Sequence, residues 1–295
     1  MEMTPLAVVI LAHADAPHLR RLIGALSGIP VVLHCDRKTP ESVYAEMTSG
    51  LGGNVRVVGR TRTSLASWSL VNAELRCLAT ALEWTGASHI AVLSGADYPL
   101  MSIDRIHREL TAWQGRTWME NVPVPTAKWN TRRQHDGGMW RFRRRYLVVR
   151  DQAVYVRGHP VPLPFRRTVP AELSLRAASQ WKIYARHHVS ALLEIAATRP
   201  DLMKFWRTTL VPEESFAASV LASPALLGAD RLEPNESGAW FLEWRAPGDG
   251  HPQWLDDTDL EKLRPGKLFA RKFSSRQSRL LDRIDGVLRG ARAGK

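Results

Sequence analysis

The chain has 295 residues, 44% of them hydrophobic, and Lys plus Arg exceed Asp plus Glu by 41 to 29, a formal net charge of +12. A chain of this length and apolar content buries a proper core, and no run approaches the roughly 20 apolar residues that a membrane-spanning helix needs. The excess of positive charge favours an anionic partner, whether nucleic acid, a phosphorylated ligand or a membrane surface.

Along the first hundred residues, short β-branched runs predict strands at 8–11, 31–34, 55–58 and 90–93. A helix is expected between the first two, opened by Asp15 as N-cap, with Leu19, Leu22, Ile23 and Leu26 on one face and Gly28 closing it. Between the third and fourth, Val71, Leu75, Leu78 and Leu82 recur at helical spacing and predict a second one-faced helix. Strands alternating with helices imply an α/β fold with a mostly parallel sheet and right-handed crossovers. The loops that follow the strands then gather at one edge, where ligands of such sheets bind. His13, Asp36 and the Ser94-Gly95-Ala96-Asp97 turn all follow predicted strands.

From 113 to 165 the pattern breaks into an arginine- and tryptophan-rich region with several prolines, which reads as an insertion or lid. Regular structure resumes with helices near 187–197 and 215–221, a strand around 240–244, and a closing helix over 278–288 with Leu281, Ile284, Val287 and Leu288 apolar. Cys35 and Cys77 stand in neither metal-type nor redox spacing and read as buried thiols. The apolar stretch 6–12 lacks a basic leader and a small-residue cleavage site, so a cytoplasmic location is expected.

Four constellations carry candidate chemistry. Glu213 and Glu214 follow Pro212 and precede an apolar helix. Proline and acids suit a first helical turn, whose free N–H groups carry partial positive charge. A carboxylate there, facing a cleft, can equally take a proton from a hydroxyl. Phe269-Ala270-Arg271-Lys272-Phe273 is either a solvated basic turn or a phosphate site in which Lys272 neutralises a leaving group. Asp36 after its strand, the Asp256 to Asp259 acids at a helix start, and the His187-His188 pair lack the geometry of a metal site. Arg132, Arg133, Arg141, Arg143, Arg144 and Arg145, interleaved with Trp129 and Trp140, suit either nucleic acid or a sugar-binding cleft.

Six segments, in order, carry a resemblance: Ile10-Leu11-Ala12-His13, His34-Cys35-Asp36-Arg37-Lys38, Ala66-Ser67-Trp68-Ser69-Leu70-Val71, Leu93-Ser94-Gly95-Ala96-Asp97-Tyr98-Pro99-Leu100, Val211-Pro212-Glu213-Glu214-Ser215-Phe216 and Leu268-Phe269-Ala270-Arg271-Lys272-Phe273. Together the sequence resembles the core-2/I-branching β-1,6-N-acetylglucosaminyltransferase family, which includes the peptide-O-xylosyltransferases. The resemblance implies a GT-A-type fold, a UDP-sugar donor, inversion at the anomeric carbon, and neither a metal nor another cofactor. It implies one domain over 1–295, with a nucleotide-binding half at 1–110 and an acceptor-binding and catalytic half at 111–295.

By the same resemblance Glu214, not Glu213, is the general base, and Lys272 contacts the donor diphosphate with Arg271 and Arg245 as further cations. Asp36 and Ser67 fall at nucleoside positions, with His13 and Asp97 on the same donor edge. Glu120, Trp129, Arg132, Arg133 and Trp244 fall on the acceptor side, where a hydroxyl-bearing glycan or small molecule is expected. Animal members are membrane-anchored Golgi proteins with several disulfides, whereas this sequence looks like a soluble bacterial version. Two other readings are a nucleic-acid-binding protein using the 129–150 patch and an inactive sugar-binding protein on the same fold.

Overall fold

The structure, a computed structural model, describes residues 5–113, 115–131, 134–244, 251–263 and 266–290. Its central sheet is built from β1 (Leu6–Ala12), β2 (Val31–Cys35), β3 (Val55–Val57) and β4 (His89–Ser94), all parallel, with Lys182–Ala185 added antiparallel at one side. The spatial order is Lys182–Ala185, β4, β1, β2, β3. Crossovers are supplied by α1 (Ala16–Ala25), α2 (Glu41–Thr48) and α3 (Trp68–Trp84).

All seven residues of β1 are buried, because both faces of the sheet are covered. The period of two divides them. Leu6, Val8 and Ile10 pack with Leu19 and Leu22 of α1, with Leu26 at its C-cap, and with Phe269 and Phe273. Ala7 and Val9 pack on the opposite face with Val71, Leu75 and Leu78 of α3 and with Trp206 and Phe216. Asp15 caps α1 by accepting from the His18 amide at 3.2 Å, and Gly28 takes φ 81° just beyond the helix.

The strand expected around 240–244 is present as Trp240–Leu242, while other strands were unread in the sequence. Lys182–Ala185 buries a lysine, which interrupts any apolar run. A small second sheet joins Trp240–Leu242 to Phe269–Arg271 in parallel, and Phe269–Arg271 to Asp97–Pro99 antiparallel, with Arg271 opposite Asp97. The region expected to be an insertion or lid has regular structure in strands of two to five residues, too short for periodicity to register. Asn121–Pro123 pairs with Arg176–Ala178, and Arg144–Tyr146 pairs with Pro162–Arg166.

The closing helix differs from expectation as well. It is α-helical over Ser278–Arg283 and widens to π-type turns over Ile284–Arg289. Asp285 sits on these turns, accepting from Tyr98 Oη at 3.0 Å and from Arg21 Nη2 at 2.7 Å. Among the described residues no helix is long and apolar enough to cross a membrane. Cys35 and Cys77 are free and buried, and burial pushes their thiols up to about 11 and about 12.

Candidate active site

The loops beyond β1, β2 and β4 are tied together as the topology requires. The Asp36 amide donates to Ala12 O at 2.9 Å, the Gly95 amide to Leu11 O at 3.1 Å, and Thr39 Oγ1 to His13 O at 2.8 Å. A Cβ on Gly95 would lie 3.1 Å from Ala12 Cβ, so a side chain here would force this turn to shift against β1. His13 is exposed at this edge. Asp36 is 4% exposed and already engaged, with Oδ2 accepting from Thr63 Oγ1 at 2.5 Å and Oδ1 from the Lys38 amide at 2.7 Å. Ser67 Oγ likewise donates to Leu65 O at 3.2 Å and accepts from the Ala153 amide at 2.9 Å. Both residues therefore shape the loop before α3 through contacts within the protein.

Asp97 is fully buried. It accepts from the Ser94 amide at 2.9 Å, Ser94 Oγ at 2.7 Å and Trp240 Nε1 at 3.2 Å. Burial pushes its carboxyl up, while the Arg271 guanidinium, with Nε 3.6 Å away, pulls it down. Arg271 lies 3.9 Å over the Trp181 ring, and its buried Nε and Nη1 have no hydrogen-bond partner among the described residues. Lys272 is half-buried near Trp254, and its pKa is lowered by burial and then by Arg271. The Phe273 amide donates to Ala96 O at 2.8 Å, which fixes this cationic pair beside the Ser94 to Asp97 turn. His251 joins them, its pKa lowered by burial and then by Lys272 and Arg271. Nothing in the sequence pointed to it.

Glu213 and Glu214 occupy a separate 3-10 turn, Pro212–Glu214, rather than the first turn of the helix Phe216–Leu221. Val211 enters that turn at φ 53° and Ser215 breaks it from the helix at φ −145°, ψ −33°. The two acids consequently face different surroundings. Glu213 is 5% exposed, accepts from the Ala66 amide at 2.6 Å through Oε1, and has no partner at Oε2 among the described residues. Burial raises its pKa to about 8, with the Glu214 charge contributing next. The Glu214 side chain is 38% exposed, and its Oε2 accepts from Arg141 Nη1 at 3.0 Å.

Arg141 is held in turn by lying 3.9 Å over the Trp129 ring. Behind the turn, Lys182 Nζ reaches Glu213 O at 3.5 Å and pairs with Glu74 at 3.3 Å, and Glu74 also accepts from Tyr184 Oη at 2.7 Å. The roles of Arg141, Ala66 and Lys182 escaped sequence reading, since each meets the turn from a distant part of the chain.

Of the acceptor-side candidates, Trp129 lies beside Arg141 and hence near Glu214. Gly138 packs against that indole, because a Cβ there would fall 2.5 Å from Trp129 Cε3. Glu120 pairs with Lys128 at 3.1 Å, one residue before Trp129. Trp244 is 47% exposed past the end of Trp240–Leu242. Arg132, Arg133 and Arg245 lie outside the described residues. Among the described residues no three His, Cys, Asp or Glu side chains group as metal ligands. His188 of the histidine pair is occupied by Thr117 Oγ1 at 2.6 Å and Asp230 O at 2.8 Å.

Comparison with known proteins identifies the family. A sequence model described as Core-2/I-Branching enzyme matches residues 7–264. The chain is similar to the Mus musculus protein named beta-1,3-galactosyl-O-glycosyl-glycoprotein beta-1,6-N-acetylglucosaminyltransferase 4, at 24% identity over 94% of this chain and 64% of that one. It is similar to Homo sapiens beta-1,3-galactosyl-O-glycosyl-glycoprotein beta-1,6-N-acetylglucosaminyltransferase 3, at 23% identity over 73% of this chain and 47% of that one. The chain thus spans less than two thirds of the length of these curated relatives. Among solved structures it is similar to HddC from Yersinia pseudotuberculosis at 14% identity and a TM-score of 0.30, covering 62% of this chain and 78% of that one; similarity at that level adds nothing to the assignment. With the family pattern running through nearly the whole central sheet and the Glu214 turn, and the GT-A-type α/β topology in place, the chain belongs to the Core-2/I-branching enzyme family.

Proposed function

We propose that the chain is an inverting, metal-independent glycosyltransferase that moves a sugar, N-acetylglucosamine ahead of xylose, from a UDP-sugar to an acceptor hydroxyl. Glu214 takes the hydroxyl proton while that oxygen attacks the anomeric carbon from the face opposite UDP. The bond from that carbon to the diphosphate oxygen breaks, and UDP leaves with the electron pair. Lys272 and Arg271 neutralise the charge that develops on it.

The observation that carries this reading is the division of labour between the adjacent acids. Glu213 is buried and bound to Ala66, so it cannot serve as a nucleophile in a double displacement. Glu214 is open on one side and held by Arg141, which fixes the direction of its carboxyl group toward an acceptor hydroxyl. Metal independence is supported by the donor-edge carboxylates, since Asp36 and Asp97 are consumed by internal hydrogen bonds while Arg271 and Lys272 stand beside Asp97. A nucleic-acid role for the 129–150 patch is disfavoured, because the Trp129 ring is already engaged by Arg141 at 3.9 Å and by Phe142 at 6.2 Å.

The test is a thermal-shift titration with UDP, UDP-N-acetylglucosamine and UDP-xylose, followed by mass detection of transferred or hydrolysed sugar. Stabilisation that grows with donor concentration supports the reading. A flat response to all three contradicts it.

A further inference from the structure

Between 143 and 167 the chain forms an arm of short antiparallel pairs. Arg144–Tyr146 pairs with Pro162–Arg166, Val148–Val149 with Gln152–Ala153, and Tyr155–Val156 with His159–Pro160. They meet where the amides of Leu147, Val161 and Val154 donate to the carbonyls of Val161, Val154 and Leu147, at 2.9, 3.0 and 2.9 Å. This closed ring of hydrogen bonds fixes the arm's shape. Two-residue turns at Arg150-Asp151 and Arg157-Gly158, with φ of 50° and 61° and of 50° and 76°, form two of its tips.

Seven arginines and a single acid lie in this stretch. Arg143, Arg144, Arg145, Arg150, Arg157 and Arg166 are exposed, and among the described residues none of them is in an ion pair. The one acid, Asp151, faces Arg207 at 3.8 Å instead. Large apolar side chains stand among these cations, with Phe165 71%, Val156 58%, Val149 56% and Tyr155 44% exposed. The C-terminal helix, also rich in arginine, differs: Arg279 and Arg283 lie 3.3 and 3.9 Å from Asp257, and Arg289 lies 2.5 Å from Asp285.

We propose that this arm docks the protein on an anionic lipid bilayer. Unpaired arginines meet headgroup phosphates, and Val149, Val156 and Phe165 enter the boundary between headgroups and acyl chains. Two of those three side chains are aliphatic and offer no flat ring to a base, which separates this surface from a single-strand-binding one. The arm is also fixed to the candidate active site. The Ala153 amide donates to Ser67 Oγ at 2.9 Å, and Asp151 O accepts from the Ser69 amide at 2.8 Å. A hollow of about 450 Å³ lined in part by Trp140, Arg144, Tyr146 and His159 opens at the arm's base, next to Arg141. Docking through the arm therefore holds the Glu214 turn close to the membrane, suited to an acceptor carried on a lipid. Docking itself stands whether or not the transferase reading holds.

The experiment is co-sedimentation of the full chain with phosphatidylcholine vesicles, with and without about one quarter phosphatidylglycerol. The chain sediments with the anionic vesicles, remains in solution with the neutral ones, and is released as salt is raised. Replacing Arg144, Arg145, Arg157 and Arg166 by serine lowers partition by about tenfold or more, because each arginine at an anionic surface contributes a several-fold factor. Val156→Ser with Phe165→Ser lowers it severalfold at an unchanged melting temperature, as both side chains are already in solvent. Wild-type chain that stays in solution with anionic vesicles overturns the proposal. So does an oligonucleotide that binds more tightly than those vesicles and is indifferent to the Val156 and Phe165 changes.

Discussion

The Ala66 amide donates to Glu213 Oε1 at 2.6 Å, which joins the loop leading into α3 to the turn that carries Glu214. A second bond, from the Val211 amide to Ala66 O at 3.3 Å, closes the clasp. Both residues are in the left-handed region, at φ 58° and 53°. For a β-branched valine this is a true outlier, a conformation that costs about 1–3 kcal/mol and persists only where its surroundings dictate it. Here those surroundings are the buried Glu213, the Lys182 ammonium behind it, and the helix that follows.

Glu213 makes stability depend on pH in a defined direction. Its carboxyl rises from 4.5 to about 8 on folding. An acid with the higher pKa in the folded state holds its proton there preferentially. Its contribution is complete below 4.5 and is lost as pH rises through about 8. Glu213→Gln keeps an acceptor for Ala66 and does not titrate. Denaturant unfolding across this range should show the variant gaining on the wild type as pH rises, by up to a few kcal/mol. Parallel curves contradict the burial argument.

Arg141 orients Glu214 through the 3.0 Å bond from its Nη1 to Glu214 Oε2. Arg141→Met should lower kcat by about tenfold to hundredfold and leave the donor KM nearly unchanged, with partial recovery in Arg141→Lys. Steady-state kinetics at varied donor concentration separates the two parameters. A change confined to KM would place Arg141 in donor binding instead.

The sheet was legible in the sequence because β1 is an unbroken apolar run, β2 and β4 carry apolar runs of three and four residues, and α3 repeats its leucines at helical spacing. The Ser94 to Asp97 turn was legible as the end of such a strand. The pairings that shape the site were not. Glu213 meets Ala66 across 147 positions, and Glu214 meets Arg141 across 73. No periodicity encodes a contact of that range. The separation of Glu213 from Glu214 was invisible for a further reason, since it depends on a 3-10 turn where proline and acids equally suit an α-helix.

In the proposed reaction the positive charge that meets the leaving group is carried by the Lys272 and Arg271 side chains. Chelator should therefore leave transfer intact, while Lys272→Ala lowers kcat by about two orders of magnitude. Strict dependence on manganese or magnesium contradicts this assignment.

Support for the turn comes from below. Phe216 is 1% exposed and meets Trp68 and Trp206 edge-on, with ring centroids 5.0 and 5.6 Å away. Phe216→Ala should cost about 3–5 kcal/mol in denaturant unfolding, from lost burial and the cavity it leaves. A loss below about 1 kcal/mol would mean that the core beneath the turn collapses freely.

The central claim is that Glu214 is the base, and the most direct measurement is the transfer rate of Glu214→Gln alongside its donor affinity. The substitution keeps size and a hydrogen-bonding oxygen for Arg141 and removes only the ability to accept a proton. The account predicts that donor binding stays at the wild-type level while kcat falls by about a hundredfold or more. Transfer at the wild-type rate with unchanged donor binding would contradict it.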